Sequence, residues 1–152
     1  MTKMENENTT PSVATPISFW VIASLILIWG LLGVIHFLDF MTTTVERLVS
    51  QGMTIEQAEF FLNAPSYFVV LFGLGVWSGL LGAVLLILRK AWAAPAFLFS
   101  AVITVVSFVS DAIYGSFSVL GAIYMLVVIF TLAVALFEAW YSRRMKARGI
   151  LQ

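Results

Sequence analysis

Apolar residues fill four long stretches of the chain, at 17–40, 65–88, 91–114 and 117–141, and polar residues concentrate between and beyond them. Roughly 20 residues cross a bilayer core of about 30 Å at a rise of 1.5 Å per residue. The pattern therefore predicts four membrane spans joined by short turns, apart from one longer loop at 41–64. The first stretch is too long for a signal-peptide core, has no basic region directly before it and is followed by no Ala-x-Ala cleavage site, so it is expected to remain as a helix. Residues 1–16 are polar and carry two prolines, which predicts a flexible tail. Residues 142–152 read as a short basic tail.

The loop at 41–64 has a pattern of its own. Thr54-Ile55-Glu56-Gln57 has the spacing of a capping box and opens a helix through about Leu62, with Asn63-Ala64-Pro65 ending it and starting the second span. Ile55, Ala58, Phe61 and Leu62 fall on one side of that helix, a face suited to lying on lipid or capping the bundle. A further helical turn at Thr44–Val49 is broken at Gly52. The expected fold is all-α: a polytopic four-transmembrane-helix bundle with a short amphipathic helix on its outer surface.

Charge orients this arrangement. Arg89-Lys90 lies between the second and third spans, and Arg143, Arg144, Lys146 and Arg148 follow the fourth, while the long loop carries only Arg47. Positively charged loops stay in the cytoplasm, so both termini are expected there and residues 41–64 outside. Trp20, Trp92, Trp140 and Tyr141 fall at the cytoplasmic ends of their spans, where amphipathic rings prefer to lie. The expected location is a bacterial inner membrane.

Composition narrows the chemistry. The 152 residues are 61% hydrophobic and 11% charged, with mean hydropathy +1.02, whereas soluble domains are about 25% charged. Eight basic and eight acidic residues give no net charge, which leaves no basic field for nucleic acid. No cysteine and a single histidine exclude disulfides, thiolate chemistry and Cys- or His-rich metal sites. Nucleophile elbows, zincin motifs and phosphate-binding loops are absent, and the glycines of the second span lack the preceding strand of a dinucleotide fingerprint. No enzyme, cofactor or metal is expected.

Three groups of residues remain as candidates. His36, Asp39, Asp111 and Tyr114 map to the outer interface; they form either an outward-facing polar site for a cation or solute, or wet helix ends. His36 adds the possibility of a pH switch. Ser100, Thr104, Ser107 and Asp111 recur at steps of four, three and four along the third span. With Ser78, Thr131 and Glu138 they make a polar seam that either packs the helices or lines a narrow path. Gly75, Gly79, Gly82 and Ala83 give the second span a face of small residues for close helix packing. Trp29 and Trp77 fall near the midplane, placed for ring stacking or for plain packing.

Several local motifs carry a family resemblance: Trp29-Gly30-Leu31-Leu32-Gly33, Met53-Thr54 to Glu59, Gly75 to Gly82 with Leu88-Arg89-Lys90-Ala91-Trp92-Ala93, and Trp140-Tyr141-Ser142-Arg143-Arg144 to Arg148-Gly149. Over residues 17–151 the chain resembles a family of small bacterial four-span membrane proteins of uncharacterised function, sometimes labelled sugar transporters. The resemblance implies the four-span fold and attaches no site residues to an activity. The leading expectation is a non-enzymatic packing or accessory protein that associates with itself or with a larger membrane protein through glycine-rich faces. A small-solute transporter or channel acting as an oligomer is the alternative, and an outward-facing pH or ligand sensor the third.

Overall fold

Each apolar stretch forms one long helix, and the longer loop forms two short ones. The computed structural model describes residues 14–152, so most of the expected N-terminal tail lies outside the described residues. The order is α1 (Ile17–Thr42), α2 (Val45–Ser50), α3 (Ile55–Leu62), α4 (Ser66–Ile87), α5 (Ala93–Tyr114) and α6 (Ser116–Ala147), with no strand among the described residues. Four of these, α1, α4, α5 and α6, are long and apolar enough to cross a membrane, which makes this a multi-pass membrane protein. Large apolar side chains such as Leu81, Ile113, Ile123 and Leu126 are exposed along them, as lipid-facing positions must be.

The helices follow each other around the bundle: α1 packs on α4, α4 on α5 and α5 on α6. Trp29 meets Phe130 edge-on with ring centroids 5.5 Å apart, bringing α1 against α6. Trp77 stays half-exposed on α4. The densest burial lies at the end carrying the basic residues, where Phe19, Leu86, Phe97 and Met145 from four helices converge.

Local signals explain the short elements. Thr44 accepts from the Arg47 N–H and opens α2. Thr54 and Gln57 form both halves of the capping box that opens α3. Pro65 precedes the first turn of α4, and Pro95 sits within the first turn of α5, where no intrahelical N–H bond is lost. Gly115 takes a left-handed conformation (φ 86°), which lets α5 end and α6 begin at one residue.

Two features differ from the sequence expectation. The fourth span is not one uninterrupted helix: Gly121 adopts φ 83° and ψ −175°, a non-helical conformation inside α6. The helix also continues to Ala147, so most of the expected basic tail is helical. Residues 150–152 then fold back on the turn between α4 and α5. Gln152 N–H donates to the Arg89 carbonyl at 2.7 Å, Ala91 N–H donates to the Gln152 carbonyl at 2.8 Å, and Arg89 Nε donates to the Ile150 carbonyl at 3.0 Å. Ile150 and Leu151 are thereby buried in the main core.

Candidate functional site

The end of the bundle that carries α2 and α3 concentrates the buried polar chemistry. Asp111, in the last turn of α5, is only 6% exposed. Tyr124 of α6 donates its hydroxyl to Asp111 Oδ1 at 3.0 Å, and the Ser116 hydroxyl lies beside the same carboxylate. A buried carboxylate needs such donors because desolvation without them is costly.

The break at Gly121 shapes this pocket of polarity. Its φ/ψ values fall in a region that only glycine occupies without strain. The departure interrupts the ladder of i to i−4 bonds, in which the Val119 carbonyl would accept from residue 123. Gln57 of α3 supplies a replacement, donating from Nε2 to the Val119 carbonyl at 3.0 Å. The α3 helix is thus fixed over the break.

Aromatic rings surround the same region. Tyr124 has Phe61 and Phe117 at centroid distances of 6.3 and 6.2 Å. Phe40 meets Phe61 edge-on at 5.2 Å. Tyr114 lies between Phe60 and Phe68, at 5.0 and 5.3 Å. With Ala58 fully buried, the apolar side of α3 caps the bundle.

The four residues expected to form an outer polar site have separate partners. His36 is exposed, with its ring 5.9 Å from Phe72. Asp39 pairs with Arg47 of α2 at 2.6 Å, tying α2 to the end of α1. Asp111 bonds to Tyr124, and Tyr114 joins the aromatic layer. Among the described residues no group of three acidic or histidine side chains gathers in metal-binding geometry.

Four of the seam hydroxyls, those of Ser78, Ser100, Thr104 and Thr131, donate to backbone carbonyls. Ser100 Oγ crosses from α5 to α4 and donates to the Gly75 carbonyl at 2.8 Å. Thr104 donates to the Ser100 carbonyl and Thr131 to the Val127 carbonyl, both at 2.9 Å and within their own helices. Ser78 donates back to Leu74 and Gly75, while Ser107 is half-buried. Glu138 lies towards the basic end, 5% exposed beside Ala139 in sequence, and has no ion pair among the described residues.

The small residues of α4 serve close helix packing, as their spacing led us to expect, and the helix they pack against belongs to the same chain. A Cβ on Gly82 would meet the Phe97 ring at 2.9–3.0 Å, and one on Gly79 would lie 3.2 Å from Ser100 Oγ. A Cβ on Gly75 would touch Ile103 and Thr104. Ala83 is fully buried. The face that small residues opened for close approach is occupied by α5 of the same chain.

Sequence reading placed Asp111 among the candidates but missed its partner Tyr124, and it used Gln57 only as a helix cap. Gly121 is the fifth residue of the predicted fourth span, and a glycine there was the available sign of a break. Comparison of the chain with known protein families, with curated proteins and with solved structures finds no match.

Proposed function

We propose that this chain is a non-enzymatic protein of a bacterial inner membrane, with both termini in the cytoplasm, that works by associating with itself or with a larger membrane protein. The observation that carries the reading is the Ser100 bond to the Gly75 carbonyl across the glycine face. It joins α4 to α5 where a conducting seam would need an opening, and it leaves the exterior of the bundle as the working surface. Leu25, Ile28, Leu32 and Ile35 on α1 follow one another at helical spacing and are all exposed, offering an apolar stripe to a neighbouring helix. Basic residues at the Arg89 and Arg143 end support the orientation.

The reading is tested with a photoreactive residue at Ile28 in cell membranes, combined with solute flux into vesicles containing the purified protein. The expected result is a discrete crosslinked species and flux no greater than that of empty vesicles. Flux of a small polar solute above that background contradicts it.

A second reading, transport of a small solute by an oligomer, is favoured by the break at Gly121 next to buried Asp111, because interrupted membrane helices often form solute sites. The transporter label carried by some members of the family this chain resembles belongs with it. On this reading Asp111→Asn abolishes uptake without altering membrane abundance.

A further inference from the structure

An apolar groove of about 730 Å³ runs along the outside of the bundle between α5 and α6, towards the basic end. Its volume is within the roughly 300–1,000 Å³ of ligand-holding clefts. Ala101 and Ala139, both nearly buried, keep its floor low, and Val102 and Trp140 stand half-exposed along it. The α6 side extends from Leu136 to Ala147, roughly 16 Å along a helix axis. This is an elongated apolar slot rather than a compact cup.

Charge sits at one end only. Arg143 and Arg144 line the groove where α6 leaves its apolar stretch, and among the described residues no acidic side chain lines it. The Arg144 guanidinium lies 5.2 Å from the Trp140 ring centroid, a cation–π contact that holds it over the groove. Arg144 also borders a smaller groove of about 270 Å³ between α1 and α6, but Arg143 faces only the larger one. Neither arginine is in an ion pair among the described residues. Guanidinium groups suit phosphate because their donors match its oxygens in pairs.

We propose that the groove between α5 and α6 binds one anionic phospholipid, an acyl chain lying over Ala101 and Ala139 and the phosphate held by Arg143 and Arg144. A hydrocarbon slot in a bilayer-spanning surface is already bathed in acyl chains, so the pair of arginines decides which lipid stays. A headgroup with net negative charge satisfies both arginines. A zwitterionic one brings its own cation to the same place. The site depends on the membrane-spanning fold and on no particular function for the bundle.

The test is native mass spectrometry of the full chain released from nanodiscs of equal phosphatidylglycerol and phosphatidylcholine. One phosphatidylglycerol is expected to be retained in preference to phosphatidylcholine. Replacing both arginines, Arg143→Gln with Arg144→Gln, is expected to reduce that preference about thirtyfold, from two basic contacts at the membrane surface. Val102→Trp fills the groove from an exposed position and is expected to remove retention with the charges intact. Equal retention of the two lipids by the unaltered chain overturns the proposal, whether or not the variants fold. So does unchanged preference in the double variant, or full retention in Val102→Trp, which leaves only surface attraction of the headgroup.

Discussion

Gln57 bonds in two directions at once: its Oε1 accepts the Thr54 N–H at 3.1 Å, and its Nε2 donates to the Val119 carbonyl at 3.0 Å. The first bond closes the capping box that starts α3, and the second holds α3 on the interrupted part of α6. A local helix-start signal therefore also fixes a tertiary contact 62 residues away.

The two roles separate by substitution. Gln57→Glu keeps an acceptor for the Thr54 N–H but has no amide donor for Val119, whereas Gln57→Ala loses both. Amide hydrogen exchange is expected to speed up around 119–124 in both variants and over 55–62 only in Gln57→Ala. The alanine variant loses about 1 kcal/mol from the bond to the Thr54 N–H, with about 1–3 kcal/mol more if the part-buried carbonyl stays unpaired. Equal exchange over 55–62 in the two variants would show that the cap and the tie are not separate.

Glycines on the spans are expected to respond to alanine with opposite signs. Gly82→Ala places a methyl against the fully buried Phe97 ring, at 2.9–3.0 Å from its nearest atoms, and overpacking of that kind costs about 1–3 kcal/mol. Gly33→Ala meets Val76 at an ordinary 3.7 Å, so it should gain up to about 1 kcal/mol of helix propensity. Unfolding midpoints in one detergent distinguish them. Adding Phe97→Leu to Gly82→Ala should recover part of the loss, and strict additivity would place the clash elsewhere.

At the polar pair, Tyr124→Phe removes the hydroxyl that donates to Asp111 and leaves a nearly buried carboxylate short of a partner. The expected loss is about 1–3 kcal/mol. Asp111→Leu combined with Tyr124→Phe should cost less than the two single changes added together, because both polar partners are then gone. Thermal unfolding of the three variants checks this. A double variant as unstable as the sum would mean that the pair contributes through packing alone.

Gly121 is demanding for a different reason. A Cβ there would have nothing within 4 Å, so space is not at issue, but the backbone is at φ 83°. Gly121→Ala must either hold that strain, about 1–3 kcal/mol, or straighten α6 and move Tyr124 away from Asp111. A variant as stable as the parent that keeps the Tyr124 contact would contradict this account of the break.

The apolar stretches made the spans legible, because lipid demands long continuous helices and the sequence supplies them. The capping box, the α2 turn and the small-residue face of α4 were legible for equally local reasons. What covers that face was not, since a glycine stripe looks the same whether α5 or another chain lies on it. The Gln57 bond to Val119 and the docking of Ile150 and Leu151 on the α4–α5 turn join distant parts of the chain, and no periodicity records them. Of the expected outer site, only Asp111 is nearly buried, because charge and depth gave each residue's level in the membrane but not its direction around the helix.

Cysteine accessibility tests the closed interior most directly, and the chain has no native cysteine to interfere. Single cysteines at Ser78, Ser100, Thr104, Ser107 and Thr131 are challenged in whole cells with a small membrane-impermeant thiol reagent, and Gly52, exposed in the long loop, serves as the positive control. Labelling is expected at Gly52 and at none of the seam positions. Labelling that runs from Ser107 through Thr104 to Ser100 would reveal a water-filled path and contradict the closed interior.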